Sequence, residues 1–165
     1  MPGEPRASPR SGKVVVGDMI NRATPGYTCP TTLHLVGPQS WTEVPALLSY
    51  EIRDPFAVRI TFGDHAEEDG ISWLVGRDLL HAGLDQPAGE GDVRLWPSRT
   101  SGDVLFLHLR APSGEALFEV SRGTVAGFLQ LTAGVVPFGE ESSVLEVDGE
   151  LAVLLSNGGA DPTGR

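Results

Sequence analysis

A chain of 165 residues with 40% hydrophobic content can bury one well-covered domain and is too short for two large ones. Lys and Arg total 12 against 22 acidic side chains, and beyond residue 22 the balance steepens to 8 basic against 20 acidic, which repels phosphate backbones and argues against nucleic-acid binding. Cys29 is the only cysteine, which excludes an intrachain disulfide and fits a reducing, cytoplasmic setting. The longest apolar runs, such as Val14 to Val16 and Val104 to Leu107, fall far short of the roughly 20 residues that span a bilayer, and no apolar block of the secretion-signal kind follows the basic start.

Met1 to Gly12 is rich in Pro, Gly, Ser and Arg, a composition that cannot offset its ordering entropy. Residues 1–28 are therefore expected to form a flexible extension, with Met19 a second candidate start. A single domain follows over 29–156, and residues 157–165 form a flexible tail. Within the domain, Thr31–Val36 reads as a strand with Leu33 and Leu35 inward, and Ala46–Ile52 as a second. The corner Arg53-Asp54-Pro55 comes next. Pro55 has no amide hydrogen to give a ladder, so it belongs at the first residue of a strand or at an edge.

From Val58 to Leu131 one pattern is written twice. Val58, Ile60 and Phe62 alternate, a polar turn from Gly63 to Gly70 reverses the chain, Ile71, Trp73 and Val75 resume, and Arg77 opens a helix. Leu105, Leu107 and Leu109 then alternate, Pro112 to Gly114 turn, Ala116, Phe118 and Val120 answer, and Arg122 opens a second helix. Period-two alternation marks half-buried strands, and the change to three-to-four spacing after each arginine closes each hairpin with a helix. Neither unit covers its own apolar face, so two units sharing one core are expected.

Gly83 stands where a left-handed helix cap is expected, with Leu84 folding back on Leu79. A Pro and Gly linker from Asp85 to Gly91 leads to a strand, Asp92 to Trp96. Ser121 is placed to cap the second helix, whose inward stripe is Val125, Phe128, Leu129 and Thr132. After the break at Pro137 to Gly139, Asp148 is placed to cap a last helix bearing Leu151, Leu154 and Leu155. The strand Val104 to Leu109 is apolar on both faces apart from His108. It needs a second covering layer, either a helix or another subunit. Val104, Phe106 and His108 are thus the candidate oligomer face.

No catalytic constellation emerges. Asp64, His65, Glu67, Glu68 and Asp69 crowd one turn, but without metal-loop spacing, and solvated turn charge explains them. There is no G-x-S-x-G turn, and Cys29 lies near a chain end. Gly89 and Gly91 precede a strand instead of a helix, so they cannot seat phosphate at a helix N-terminus. Asp92 with Glu90 lies in a loop with no apolar pocket to shift a pKa. No cofactor, metal site or enzymatic activity is expected. Trp96, with Arg94 and Arg99 beside it, is the candidate partner surface, because a tryptophan on the polar side of a strand suits an interface. A Trp packed under a loop with Arg99 in a salt bridge is the competing reading.

The residues Asp54-Pro55-Phe56-Ala57-Val58, Trp73, Arg77-Asp78-Leu79-Leu80, Gly83-Leu84, Gly91-Asp92-Val93-Arg94 with Trp96-Pro97-Ser98-Arg99, and Gly114-Glu115-Ala116-Leu117 resemble the SsgA-like proteins of sporulating actinomycetes. Phe128-Leu129, Val136-Pro137, Gly139-Glu140 and the closing Leu151 and Leu154-Leu155 extend the resemblance over about residues 29 to 156. It implies an α+β fold of two packed, mainly antiparallel four-stranded sheets with helices, similar to the whirly single-stranded nucleic-acid binders and assembled as a homo-oligomer, a trimer among the candidate states. It further implies a non-catalytic regulator of sporulation-specific cell division, cytoplasmic and recruited to the septum. Such a regulator acts on septum-site selection, FtsZ-ring guidance or septal and spore-wall peptidoglycan, with FtsZ or a family paralogue as partner. The alternative is a single-stranded nucleic-acid-binding protein of whirly-like fold, which would need aromatic platforms lined by basic residues. Gly76, Phe138 and the first 28 residues depart from the family pattern.

Overall fold

The computed structural model describes residues 26–64 and 70–157; the candidate metal turn from His65 to Asp69 and most of the terminal extensions lie outside them. Seven strands and three helices follow in order: β1 (Gly26–Val36), β2 (Trp41–Glu51), β3 (Ala57–Phe62), β4 (Ile71–Gly76), α1 (Arg77–Gly83), β5 (Val93–Pro97), β6 (Val104–Ala111), β7 (Gly114–Ser121), α2 (Arg122–Val135) and α3 (Glu141–Asn157). The α+β class stands, but the two four-stranded sheets expected from the resemblance are one seven-stranded antiparallel sheet, ordered β4-β3-β2-β1-β7-β6-β5. The cause is β1. It pairs with β2 along its whole length and joins β7 through His34↔Glu119 and Leu35↔Phe118, so the ladder never breaks.

The sheet curls. Phe62 of β3 stacks on Phe118 of β7 at 4.9 Å between ring centroids, although in a flat sheet three strand spacings of about 4.8 Å and a register offset of four residues would set these positions roughly 19 Å from one another. The concave side holds one core, including Leu33, Leu48, Val58, Ile60, Leu105 and Leu107. The helix α2 closes it with the predicted stripe of Val125, Phe128, Leu129 and Thr132, all buried. Its start is the predicted cap, with the Thr124 amide donating to Ser121 Oγ at 3.2 Å.

Both repeated segments fold as strand, turn, strand and helix, and they are fastened symmetrically. The amide of Arg77 donates to Phe56 O, and that of Arg122 to Asp103 O, each at 2.8 Å; each acceptor immediately precedes the first strand of its own unit. The two guanidinium groups cross over. Arg77 Nη1 donates to Val136 O, the C-cap of α2, at 2.6 Å. Arg122 Nε donates to Leu84 O, the C-cap of α1, at 3.1 Å. Each arginine thus satisfies a carbonyl at the end of the other unit's helix, where the negative end of the helix dipole also favours a cation.

Four local expectations change. The first two strands begin at Gly26 and Trp41, earlier than Thr31 and Ala46, because Pro30 and Pro45 lie inside strands and do not start them. Pro30 lies beyond the β1–β7 pairs, in a stretch with a neighbour on one side only, as edge prolines do, while Pro45 precedes the first β2–β3 pair, Ala46↔Phe62, and its carbonyl accepts the Gly63 amide at 2.9 Å. Gly83 is the last residue of α1 and has no positive φ. Its bare Cα serves close approach instead: a Cβ there would come within 2.5 Å of the Leu95 side chain. The last helix starts at Glu141, seven residues before Asp148. Glu140 O accepts the Ser143 amide at 3.1 Å, and Glu141 is held by Arg77.

The sheet's two margins differ. At β5, Ala88 of the linker exchanges both hydrogen bonds with Leu95, at 2.8 and 3.0 Å. At the other margin β4 has, among the described residues, β3 as its one neighbour, with Ile71 and Leu74 exposed.

Candidate interaction surface

On β5 and β6, alternation sends Leu95, Leu105, Leu107 and Leu109 into the core and leaves Arg94, Trp96, Val104, Phe106 and His108 on the convex side. Register does the rest. Arg94 pairs with His108 and Trp96 with Phe106, so the candidate partner residues and the candidate oligomer residues form one surface. The Trp96 and Phe106 rings lie 5.9 Å apart, inclined by 30°. Arg99 sits exposed in the β5–β6 loop that follows Trp96, where Ser98 Oγ accepts the Thr100 and Ser101 amides at 3.2 and 3.3 Å. Among the described residues it makes no salt bridge, contrary to the competing reading.

The row extends across the sheet. Phe106 lies opposite Glu119 on β7, Glu119 opposite His34 on β1, and His34 opposite Glu43 on β2. Trp41 stacks flat on His34 at 3.8 Å with an interplanar angle of 2°. Its Nε1 donates to Glu119 Oε2 at 3.0 Å. Trp41 is still 57% exposed, which makes it the large aromatic of this side most open to a partner. Beside the row, Glu115 faces His108 Nε2 at 3.1 Å and Arg110 Nε at 3.6 Å. No described helix covers the convex face of β6. Of the two coverings its composition required, α2 supplies the concave one.

Trp41, His34 and Glu119 were not identifiable as site residues from the sequence alone. The usable signal was a tryptophan directly after a Gly-Pro turn, a position that a buried tryptophan seldom takes.

Chemistry of the catalytic kind finds no support in the described geometry. Burial pushes the Cys29 thiol above its ordinary range, which disfavours the reactive thiolate. Glu90 and Asp92 are exposed, and among the described residues no cluster of three metal-ligating side chains occurs. The concave mouth between β3–β4 and the β6–β7 turn holds about 500 Å³ lined by Leu35, Phe62, Trp73 and Phe118 among others, an apolar surface without convergent acids and bases. Among the described residues, no helix is long and apolar enough to cross a membrane.

These features define a mixed α+β protein with an aromatic, part-charged convex face and no assembled reaction centre among the described residues. A family model described as the Streptomyces sporulation and cell division protein SsgA matches residues 44–141. Sporulation-specific cell division protein SsgB of Streptomyces coelicolor is 43% identical over 133 residues, covering 78% of this chain and 96% of that protein. SsgB of Salinispora tropica is 46% identical over 132 residues, covering 76% and 90%. Two solved structures agree in shape. One is an SsgB studied for mutations that correlate with longitudinal cell division during sporulation of Streptomyces coelicolor, with TM-score 0.66 at 41% identity, covering 78% of this chain and 99% of that one. The other is an SsgA-like sporulation-specific cell division protein of Thermobifida fusca, with TM-score 0.70 at 32% identity, covering 81% and 98%. The chain belongs to the SsgA family of sporulation and cell division proteins.

Proposed function

We propose that this protein is a non-catalytic regulator of sporulation-specific cell division that works by protein–protein contact through the convex face bearing Arg94, Trp96, Phe106 and His108. Family membership across residues 44–141 carries the reading, and the uncovered aromatic row on β5 and β6 supplies the surface. Aromatic and arginine side chains anchor interfaces because they bury large areas at low entropic cost. The partner is a component of the division or wall-assembly machinery, FtsZ or a family paralogue, met at the septum by a cytoplasmic protein. Val104, Phe106 and His108 also serve a homo-oligomer, a trimer among the candidate states. As these residues share the face with Arg94 and Trp96, self-association and partner binding compete.

A tagged copy should gather at sporulation septa, and Phe106→Ser should lose that pattern while the protein stays folded. Uniform signal throughout development overturns the reading. A monomer by light scattering removes the oligomer alone.

Single-stranded nucleic-acid binding is the second reading, because Trp41, Trp96 and Phe106 offer outward ring faces. Such binding also requires basic side chains along the strand's path. Here Glu115 and Glu119 lie among the rings. An oligonucleotide titration at low salt decides, with tight, salt-sensitive binding reversing the ranking.

A further inference from the structure

The core is closed over part of the concave side and open at one end. Where α2 packs, Val125, Phe128 and Leu129 are buried, whereas toward the turns of the β3–β4 and β6–β7 hairpins Leu35, Val44, Phe62 and Trp73 stay half-buried. They line a slot of about 500 Å³, inside the range of about 300 to 1,000 Å³ over which small-molecule sites fall. Phe62, Ile71 and Trp73 form one wall, and Leu109, Ala116 and Phe118 the other. The Phe62–Phe118 stack joins them. Mouths of curled sheets and barrels are a favoured place for such sites. The β3–β4 turn, Gly63 to Gly70, has Ala66 as its one apolar side chain beyond glycine, so it holds no large apolar group to fill the slot.

The lining sets the chemistry of the occupant. No Lys, Arg or His lines the slot, and Glu115, its one charged lining residue, is engaged by His108 and Arg110. A carboxylate or phosphate head group therefore finds no counterion there. The walls are side-chain faces of paired strands, so most of their amides are already bonded to one another. An inserted peptide would carry its own amides into a surface with few partners for them, a cost that an aliphatic chain does not meet. Ser113 supplies the one hydroxyl of the lining, which suits an uncharged polar head.

We propose that this slot binds a small molecule with a long aliphatic chain and an uncharged head group. It lies on the concave side, apart from Trp96 and Phe106, and does not depend on the role of the convex face. The test is titration of the full chain with the uncharged dye N-phenylnaphthylamine, followed by displacement with dodecanol and with dodecanoate. Dodecanol should displace the dye, and dodecanoate should need at least about tenfold more. In Trp41→Phe/Trp96→Phe, Trp73 is the one tryptophan left, and its emission should fall as the dye binds. Ile71→Asp, at a position 68% exposed, and Ala116→Trp should each weaken binding at least about tenfold, in proteins whose fold is checked by circular dichroism. The first variant keeps the test open if the second misfolds. Leu151→Ser/Leu154→Ser removes exposed apolar side chains of α3 and should leave dye binding unchanged. The proposal is overturned if the parent chain binds no displaceable dye, if Trp73 emission does not respond, or if a folded slot variant binds as the parent does. Binding lost with the α3 pair, or dodecanoate competing as well as dodecanol, overturns it equally.

Discussion

Arg77 and Arg122 hold matching places in the two repeats and make matching crossed bonds, yet one is sealed from water and the other half open. Arg77 is fully buried, donating to Val136 O, Pro137 O and Glu141 Oε1, with Phe138 lying 4.4 Å under its guanidinium. Arg122 pairs with Asp85 at 2.7 Å, its side chain 39% exposed and that of Asp85 78%. The same crossed arrangement is therefore critical on one side and dispensable on the other. A buried ion stripped of its partner has no water to turn to, whereas an exposed pair replaces solvent with little net gain.

The sharpest way to break this contrast is Arg77→Met. It strands the Val136 and Pro137 carbonyls and frees Glu141, and should cost about 3 kcal/mol or more in urea unfolding. A loss below about 1 kcal/mol would erase the distinction between the two sites. The same contact sets an acid limb. The hydrogen bond from Arg77 holds the Glu141 carboxyl below its ordinary range, so the native state binds its proton less readily than the unfolded chain does. That contribution is present in full above the unfolded value of about 4.3. It is lost as pH falls through the lower folded value, so Glu141→Gln should flatten stability across that window. Next in size is Gly83→Ala, where the new methyl meets Leu95 and overpacking costs about 1 to 3 kcal/mol. Arg122→Ala should follow at about 1 kcal/mol, the worth of a carbonyl bond plus an exposed pair. Trp96→Ser on the convex face removes a half-buried ring packed on Phe106 and should cost about 1 kcal/mol, so partner loss is read in the variant only after its fold is confirmed by circular dichroism.

Features with local causes were legible in the sequence. The α2 stripe followed from helical spacing, the Ser121 cap from a hydroxyl ahead of an apolar run, and the outward set of β5 and β6 from alternation. Features set by distant pairing were not. That one sheet replaces two depends on His34 and Leu35 meeting β7 more than 80 residues away in sequence, and no period in the chain encodes such a meeting. Gly83 was legible as a needed glycine but not for which need, since a left-handed cap and a close crossing leave the same letter. Arg94, Trp96, Phe106 and His108 could each be picked out, but their adjacency is register. The stack of Trp41 on His34 needed both the β1–β2 hairpin and the β1–β7 junction. Arg77 passed as a helix opener because one charge in a sequence does not reveal its burial.

The unequal margins of the sheet bear on how the protein stays dispersed. An endless cross-β ribbon requires every subunit to offer two bare rims, one to receive a strand and one to present the next. With Ala88 occupying the β5 rim at Leu95, the two outer rims are, among the described residues, unlike one another, and a ribbon that needs two matching bare rims finds the one at β5 interrupted.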